Sequence, residues 1–427
     1  MEKMMMPRIL FVILLTLILL CSSSCHGRKS HHKHRNVSKD RRHQLVSQQV
    51  LINVDDFGAK ADGKSDNAQA FSRAWDKACN STSSSTIVVP RGKTYYIKHV
   101  DFSGPCKNSV SMEIQGTVKA MSEMYETPKR LWIKFEDVTD MNISGGGIID
   151  GNGEIWWKNS CKIKKTKPCQ TQSAPTAMTF KNCVNLKMTN LKLQNAQQMH
   201  VVFQDCRDVE ASNLRITAPG DSPNTDGIHI TKTQNINILD SIIKTGDDCI
   251  SIVNGTSNVQ VQNIMCGPGH GISIGSLGEN NMENHVSNIL VKGVKISGAT
   301  NGVRIKTWQG GSGSARNIAF EDILMQNVSN PIIINQNYCD KNKNCVKQNS
   351  AVQVENIMYR NIRGTSATKV AVNFNCSESF PCRNLYMENV KLSTHGENGK
   401  AEAFCSQLTM LNAGVNSVPR CSSAHND

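Results

Sequence analysis

A short polar–aliphatic unit recurs along the chain. The polar residue, usually asparagine, precedes an aliphatic one at Asn185, Asp208, Asn235, Asn258, Asn288, Asn317, Asn356 and Asn384. A second polar or small residue follows five positions later, at Asn190, Asn213, Asp240, Asn263, Gly293, Asp322, Asn361 and Asn389. Asn142, followed by Ile143, is a candidate for an earlier unit. Successive units lie 23 to 39 residues apart, a period that indicates a solenoid whose repeats stack on their neighbours.

Short hydrophobic runs lie between these units, at 200–203, 227–230, 250–252, 271–274, 302–305 and 331–334. Runs of this length bounded by Gly, Asn or Asp are typical of strands. The sequence lacks the hairpin signals of a β-sandwich and the longer blade repeat of a propeller. The pattern therefore predicts an all-β fold, a right-handed parallel β-helix with aliphatic side chains stacked inside and asparagines stacked at the corners.

The first coil of such a solenoid needs a cover, because an open sheet edge pairs with other strands. A helical apolar pattern runs from Asp66 to Ala78 and consists of Ala70, Phe71, Ala74, Trp75 and Ala78. We therefore expect a short N-terminal capping helix. Cys79 directly follows this pattern, and Cys106 is one candidate partner for it.

The N-terminal 25 residues have the order of a secretory signal peptide: a basic start, an apolar run at 9–20, then small and polar residues. A signal anchor is the competing interpretation, but the run is short for crossing a bilayer. Residues 26–50 are rich in His, Arg and Lys, and we expect a disordered or removable segment there. Residues 51–427 would then form one β-helix domain of a secreted, extracellular protein with no membrane contact after signal cleavage.

The cysteines agree with this compartment. Fourteen of the sixteen follow the signal region, an even number that suits an oxidising environment. Candidate pairs that are close in sequence are Cys161–Cys169, Cys249–Cys266, Cys339–Cys345, Cys376–Cys382 and Cys405–Cys421. No cysteine or histidine cluster has the spacing of zinc ligands, so we expect no metal site.

The net charge of +13 is concentrated near the N terminus. Seven basic residues and one acid at 28–43 contribute six of these charges and the signal region contributes one, which leaves +6 for the large domain. This modest positive balance favours contact with an acidic polymer. Nucleic acid is the usual polymer of that kind, but a secretory signal argues against it.

Four polar motifs interrupt the aliphatic repeat: Asn-Thr-Asp-Gly at 224–227, Gly-Asp-Asp-Cys at 246–249, Gly-His-Gly at 269–271 and Arg-Ile-Lys at 304–306. Taken singly, each is typical of a solvated turn or an exposed strand. Their spacings, however, are close to whole coils, since Asp226 and Asp247 are 21 residues apart and Asp248 and His270 are 22 apart. Residues one coil apart lie about 4.8 Å from each other. We therefore expect one column-like patch on one face, with Arg304 extending the column.

The residue types in this patch suit the hydrolysis of a glycosidic bond, which needs an acid for the leaving oxygen and a base for water. Repulsion among Asp226, Asp247 and Asp248 should raise the pKa of at least one of them and keep it protonated. Arg304 and Lys306 are two residues apart and point the same way along a strand. They are suited to bind the carboxylate of a uronic acid.

In these four motifs the chain resembles the polygalacturonase (pectinase) family of glycoside hydrolases, and its plant members in particular. Matching stretches surround them at 218–223, 267–268 and 307–311, and the resemblance runs from about residue 54 to residue 421. It implies a right-handed β-helix, hydrolysis of α-1,4-galacturonosyl linkages in pectin with inversion, and no cofactor. The implied partner is a pectic polysaccharide, bound by a monomer.

The resemblance also implies a role for each site residue. Asp247 matches the general acid, Asp226 and Asp248 match the carboxylates that activate water, and His270 matches the histidine that supports the acid. The residues that match substrate-binding positions are Asn224, Arg304, Lys306 and Tyr338.

Two other functions remain as alternatives. A calcium-dependent lyase on the same scaffold would use a lone basic group, which does not fit three carboxylates and a histidine. A non-catalytic pectin-binding protein would not need every catalytic residue type. Within hydrolysis, we expect endo action, because no large insertion follows the motifs, and exo action is the alternative.

Overall fold

The computed structural model describes residues 49–124, 130–163, 174–340, 345–394 and 399–421. The expected signal peptide and nearly all of the expected basic segment lie outside these residues. Within them the regular structure is almost entirely β, and all pairings between the strands are parallel. No described helix has the length and apolar character needed to span a membrane.

The strands form two sheets that run along the solenoid. In the described residues, the strands of the eleven-strand sheet are Val100–Ser103, Leu131–Glu136, Thr176–Lys181, Val201–Gln204, Ile228–Thr231, Ile250–Ile252, Ile272–Leu277, Asn301–Trp308, Asn330–Tyr338, Val370–Asn375 and Glu402–Ser406. Those of the twenty-strand sheet are Val50–Asn53, Ser85–Val89, Thr94–Ile97, Val110–Ile114, Thr117–Ala120, Thr139–Ser144, Ile148–Asp150, Val184–Gln194, Arg207–Thr217, Gln234–Leu239, Ile242–Lys244, Thr256–Gln262, Met265–Cys266, Glu283–Lys292, Lys295–Ser297, Ser312–Val328, Gln353–Ser366, Cys382–Glu388, Lys391–Thr394 and Leu408–Val415. The predicted parallel β-helix is confirmed, and each predicted run forms a strand of the eleven-strand sheet.

Equivalent residues of successive coils lie in register, and this alignment builds the core. Ile228 pairs with Ile250, Ile250 with Ile272, and Ile272 with Val303. All four side chains are fully buried. Nearer the N terminus, the rings of Phe102, Phe135, Phe180 and Phe203 stack in sequence with centroids 4.9, 5.0 and 5.3 Å apart. The interior is therefore a set of columns of stacked aliphatic or aromatic side chains.

The repeated polar units form the corners of the coils. All sixteen positions of the two predicted series have positive φ angles, between 49° at Asp240 and 66° at Gly293. Asparagine tolerates this left-handed conformation better than most residues, and its side chain bonds to the corner of the next coil. Asn258 donates to Asn235 at 3.0 Å, Asn288 to Asn258 at 3.0 Å, and Asn317 to Asn288 at 3.1 Å. The corners thus fix the register of the solenoid.

The proposed earlier unit at Asn142 is wrong by two residues. Asn142 lies within the strand Thr139–Ser144, whereas Asp140 takes the left-handed corner with φ of 57°. Asp140 accepts a hydrogen bond from Asn185 in the next coil. The sequence is misleading here because the corner pair Asp140-Met141 is directly followed by an asparagine–isoleucine pair, Asn142-Ile143.

The predicted capping helix is confirmed and spans Ala68–Cys79, starting two residues after Asp66. Its buried face carries Trp75, whose ring lies 5.1 Å from Phe102 at the start of the phenylalanine column. A disulfide joins Cys79 to Cys106. Besides a five-residue helix, Glu154–Lys158, the described residues include two 3₁₀ helices, Val54–Phe57 and Glu279–Asn281.

Four of the five close cysteine pairs predicted from sequence are also confirmed: Cys249–Cys266, Cys339–Cys345, Cys376–Cys382 and Cys405–Cys421. For the fifth, Cys161 is disulfide-bonded but Cys169 lies outside the described residues. Cys183 and Cys206 are buried thiols on adjacent coils. The disulfides therefore cross-link the chain at three places: at the capping helix, at the polar motif at 246–249 and in the C-terminal coils.

The corner ladder yields a stability prediction. Asn288→Ala removes two side-chain hydrogen bonds and places a Cβ in the left-handed region, so unfolding should require about 2 kcal/mol less free energy. Asn288→Gly loses the same bonds without that strain and should cost about half as much. Guanidinium unfolding followed by circular dichroism measures both variants. If alanine is tolerated as well as asparagine, the corners do not hold the register.

Candidate active site

Three of the four polar motifs, those at 224–227, 246–249 and 269–271, lie where the coils turn into the eleven-strand sheet, whereas Arg304 and Lys306 lie within the strand Asn301–Trp308. The strand register places Asp226 beside Asp248 and Asp248 beside His270, because Ile228, Ile250 and Ile272 are paired two residues further on. Backbone bonds hold the turns together: the amide of His270 donates to the carbonyl of Asp247 at 2.9 Å. The predicted stacking of these three motifs is therefore confirmed.

The spacing of the motifs predicts that Arg304 extends this column, but this prediction is wrong. Arg304 pairs with Ser273, three residues along the strand from His270. The coil step lengthens here, from 22 residues between Ser251 and Ser273 to 31 between Ser273 and Arg304. An extra segment with the 3₁₀ helix Glu279–Asn281 precedes the strand Glu283–Lys292, so counting residues from His270 misplaces Arg304. The patch is consequently two columns wide, with the acids at the turn and the cations on the adjoining strand.

Each carboxylate has its own set of partners. Asp247 Oδ1 lies 2.8 Å from His270 Nδ1 and accepts a hydrogen bond from the Asp248 amide, also at 2.8 Å. Asp248 accepts from Lys306 Nζ at 3.1 Å. Asn224 Nδ2 lies 3.5 Å from Asp247 Oδ2. The side chain of Asp247 is 19 % exposed, compared with 3 % for that of Asp248, so Asp247 is the more accessible of the adjacent pair.

The environment separates the proton affinities of the acids. Burial raises the pKa of Asp226 well above its usual range, and the negative charges of Asp247 and Asp248 raise it further. Burial also acts to raise the pKa of Asp247, but the hydrogen bond and charge of His270, with the charge of Lys306, outweigh it and lower that pKa. The same hydrogen bond raises the pKa of His270. Asp226 therefore holds a proton to higher pH than Asp247, which is paired with His270.

The cations form the other half of the patch. The Arg304 guanidinium lies 5.2 Å from the Tyr338 ring centroid, and Lys306 Nζ lies 5.8 Å from it. Lys306 binds Asp248, whereas Arg304 forms no ion pair with any residue the structure describes and its Nε has no hydrogen-bond partner there. A buried donor without a partner is costly. Arg304 is thus available for an anionic group in the cleft.

Two serines that the sequence motifs do not include complete the site. Ser251 Oγ donates to Asp226 Oδ2 at 2.8 Å, and Ser273 Oγ donates to Asp248 Oδ1 at 2.6 Å. His229 Nδ1 lies 2.7 Å from Ser251 Oγ and extends this contact. The available signal was an Ile-Ser-Ile triplet that recurs after 22 residues, the same step that separates Asp248 from His270.

Glycines let the turns approach one another closely. A Cβ on Gly246 would clash with the backbone carbonyl of Ser222, and one on Gly269 would clash with that of Asp247. Gly269 also has φ of 123°, which side chains rarely adopt. The Cys249–Cys266 disulfide closes the segment next to the acids. Both features hold the carboxylates in a fixed arrangement.

Asp247, Asp248 and His270 could also serve as a ligand set for a cation, since one donor atom of each lies within 4.8 Å of the others. Two of these groups already have charged partners, however, because Lys306 binds Asp248 and His270 binds Asp247. Such pairing competes with metal binding. The expectation of a metal-independent reaction stays a prediction.

The comparison with known families decides the class of this site. Residues 79–417 match the family model of the glycosyl hydrolases family 28. The chain belongs to glycosyl hydrolase family 28. It is therefore a glycoside hydrolase, and the resemblance to the polygalacturonase family is confirmed.

Relatives in family 28 cover most of the chain. Polygalacturonase-2 of Solanum lycopersicum is 55 % identical over 87 % of this chain and 81 % of its own length. Polygalacturonase QRT2 of Arabidopsis thaliana is 52 % identical over 93 % of this chain and 89 % of its own. The endo-xylogalacturonan hydrolase of Aspergillus tubingensis is 23 % identical, with a TM-score of 0.72 over 86 % of this chain and its full length. That last likeness supports the fold.

The serine contacts make a prediction about rate. Ser251→Ala and Ser273→Ala each remove a hydrogen bond to a carboxylate, and such bonds contribute about 1.5–3 kcal/mol. We expect kcat to fall about ten- to a hundred-fold, while KM changes little. Ser212→Ala is the matched control, since Ser212 Oγ donates to Glu210 at 3.2 Å away from the turns. Equal kinetics in Ser251→Ala and Ser212→Ala would contradict the role of Ser251.

Ser251→Ala should also change the pH dependence. The Ser251 hydrogen bond stabilises ionised Asp226 and so lowers its pKa. Without that bond the pKa rises and the protonated form persists to higher pH. The alkaline limb of kcat/KM should therefore move to higher pH, and a pH–rate profile measures it. A shift to lower pH would show that Asp226 does not hold the essential proton.

Proposed function

We propose that this family 28 hydrolase is a polygalacturonase, which cuts α-1,4-galacturonosyl linkages of pectin with inversion. The observation that carries the proposal is Arg304, which has no ion-pair partner among the described residues and lies beside three carboxylates with distinct partners. A uronate carboxylate satisfies the guanidinium, and the acids then face the adjoining linkage. The polygalacturonases of Solanum and Arabidopsis, similar over most of this chain, support the same substrate.

Asp247 is the general acid in this proposal. It is more exposed than its neighbour Asp248, so the glycosidic oxygen can reach it. In the free site its pKa is lowered by His270. A bound sugar removes the remaining water from Asp247 and brings further negative charge, and both effects raise its pKa. Substrate binding thereby shifts the proton of the cluster toward the group that delivers it.

Asp226 and Asp248 hold and activate the attacking water. Both are buried, and their serine hydrogen bonds fix the direction of their remaining lone pairs. Lys306 donates to Asp248 at 3.1 Å and holds it close to the cluster. His270 supports Asp247 through their 2.8 Å contact. This division of roles follows the requirement for one acid and one base.

Substrate contacts complete the proposal. Arg304 and Lys306 bind uronate carboxylates, with Tyr338 packed beside both cations. Asn224, whose amide lies near Asp247, donates to a sugar hydroxyl. For the guanidinium of Arg304, a sugar carboxylate is a better partner than a neutral sugar, because a guanidinium binds a carboxylate with two parallel hydrogen bonds.

We further propose endo action, with exo action as the alternative. A depression of about 690 Å³ lies on the same edge of the solenoid, in the coils that precede the acids. Residues that line it include Asn152, Trp157, Asn195, Pro219 and Asp221. Arg304 and Tyr338 lie in the coils that follow the acids. A polymer therefore has binding surface on both sides of the cut.

The site comes from one chain, and we propose that the protein acts as a monomer. Secretion to the cell wall follows from residues 1–25, interpreted as a signal peptide, and from the polymer that the enzyme would cut. The modest positive charge of the domain favours an acidic polymer there.

Substitution of each acid tests the roles. Asp247→Asn should lower hydrolysis of de-esterified polygalacturonate about 10²- to 10⁴-fold, the usual contribution of an acid or base. Asp208→Asn is the control, because Asp208 is a corner residue and asparagine occupies the equivalent corners. The activity should persist in excess chelator. Reducing-end release measures all three.

A substrate with an activated leaving group separates acid from base. The fluoride ion of an α-galacturonosyl fluoride leaves without being protonated by the enzyme. Asp247→Asn should therefore regain much of its hydrolysis rate with this substrate, whereas Asp226→Asn should not. Recovery by Asp226→Asn instead would exchange the two roles. If neither the parent nor the control releases reducing ends from polygalacturonate, the proposed substrate is wrong.

The pattern of products tests endo action. Early products from long polygalacturonate should be a mixture of oligomers, and viscosity should fall well before many ends are released. Chromatography of the products against time shows this. Monomer as the sole early product would establish exo action.

A further inference from the structure

A line of basic residues runs along the solenoid outside the site. Eight equivalent outward positions of the twenty-strand sheet are paired coil by coil: Lys192, Arg215, Ile242, Met265, Lys295, Leu324, Arg363 and Lys391. We call them the basic strip. Five are cations and three are apolar. The seven steps between them cover roughly 34 Å at the spacing of adjacent strands.

The charge of the strip is not balanced nearby. Within the described residues none of its five cations forms an ion pair. Lys192 is paired directly with Arg215, and Arg363 with Lys391. Like charges opposite each other on neighbouring strands destabilise a sheet. A partner of negative charge would relieve this repulsion.

The equivalent line on the adjoining half of the same sheet is different. Its outward positions are Lys187, Glu210, Asn237, Gln260, Leu290, Ala319, Met358 and Tyr386. Lys187 and Glu210 are ion-paired at 3.0 Å, and the others are neutral. General solubility does not account for the strip, because a solvated face of the same sheet does not need such a charge.

The C-terminal end of the strip is concave. A depression of about 340 Å³ is lined by Leu324, Arg363 and Lys391 of the strip, together with Asn361 and Asn389, and also by Asp322 and Ile323. The negative charge of Asp322 is offset, since it accepts from Asn361 at 2.9 Å and lies 3.6 Å from Lys292. Cations for carboxylates, amides for hydroxyls and an apolar side chain for a sugar face are thus together in one place.

We propose that the basic strip is a second binding surface for a de-esterified galacturonan segment, separate from the cleft and running parallel to the solenoid axis. The identity of this polyanion rests on the proposed function. One coil step of about 4.8 Å is comparable to the length of one sugar residue, so carboxylates of a polyuronate can follow the cations. Single-stranded nucleic acid fits less well, because the strip contains no aromatic side chain for base stacking.

The consequence is retention on the polymer. Three coils of the strip lead into the turns that carry the site: Ile242 is five residues before Asp247, Met265 is five before His270, and Arg215 is eleven before Asp226. A segment held on the strip keeps other segments close to the cleft and raises their local concentration. Binding through lysine and arginine should be weakened by salt.

The test uses the full chain carrying Asp247→Asn, so that polymer is bound but not cut. The strip variant adds Arg215→Glu, Arg363→Glu and Lys391→Glu. The control variant adds Lys60→Glu, Arg91→Glu and Lys107→Glu, which are exposed in the N-terminal coils and change the net charge equally. Affinity electrophoresis in polygalacturonate gels measures binding at several salt concentrations.

We expect the strip variant to bind polygalacturonate at least about ten-fold more weakly at low salt and with a smaller salt dependence, as the loss of several charge contacts implies. The control should stay within about two-fold of the parent. Equal losses in both variants would overturn the proposal, because they would show attraction to net charge alone. Unchanged binding in the strip variant would overturn it as well.

Two further measurements separate this proposal from others. In the active background, the strip variant should keep its rate on short galacturonate oligomers and lose rate on dilute polymer. Loss on both substrates would place the strip in the cleft and overturn a separate surface. Single-stranded DNA that competes as well as polygalacturonate would overturn the choice of ligand. Failure to cut any galacturonan would refute the proposed function, whereas binding in the Asp247→Asn background tests the strip alone.

Discussion

The in-register stacking of coils is the constraint on which the rest of the structure depends. A coil buries little surface alone, and each becomes stable only against its neighbours. The left-handed corners set that register, because a residue with positive φ such as Asn258 turns the chain while its amide bonds to the next corner. Once the corners are aligned, isoleucine stacks on isoleucine and phenylalanine on phenylalanine. The same alignment determines which polar groups meet at the turns.

The site is therefore a consequence of register, and its electrostatics follow from it. Stacking brings Asp226 next to the turn with Asp247 and Asp248, where burial and their negative charges raise its pKa. The strand positions three and five residues further on supply the compensating donors, Ser251, Ser273 and Lys306. A buried carboxylate is costly unless such donors accompany it. The fold tolerates the cluster because adjacent coils present acids at the turn and donors on the strand.

The sequence predicted what depends on local chemistry and period. Asparagine at fixed offsets identified the corners, and whole-coil steps identified the acids and His270. It failed where the step changes: the extra segment around Glu279–Asn281 lengthens the coil and places Arg304 beside Ser273, outside the His270 column. It also failed at Asp140, where a short acid replaces asparagine. Ser251 and Ser273 escaped notice because serine between isoleucines is ordinary in a strand, and its value depends on which acid lies beside it.

The distribution of the proton has a consequence for specificity. In the free site, His270 lowers the pKa of Asp247, whereas burial raises that of Asp226. In the proposed mechanism, delivery of a proton through Asp247 requires a substrate that excludes water from this partly exposed carboxylate. The proposed substrate, a long uronate chain anchored at Arg304 and extending over the coils before the acids, would do so on both sides. A ligand that leaves the cleft open keeps Asp247 in its ion pair, so binding alone does not produce cleavage. In this arrangement the acid becomes active only when the polymer is in place.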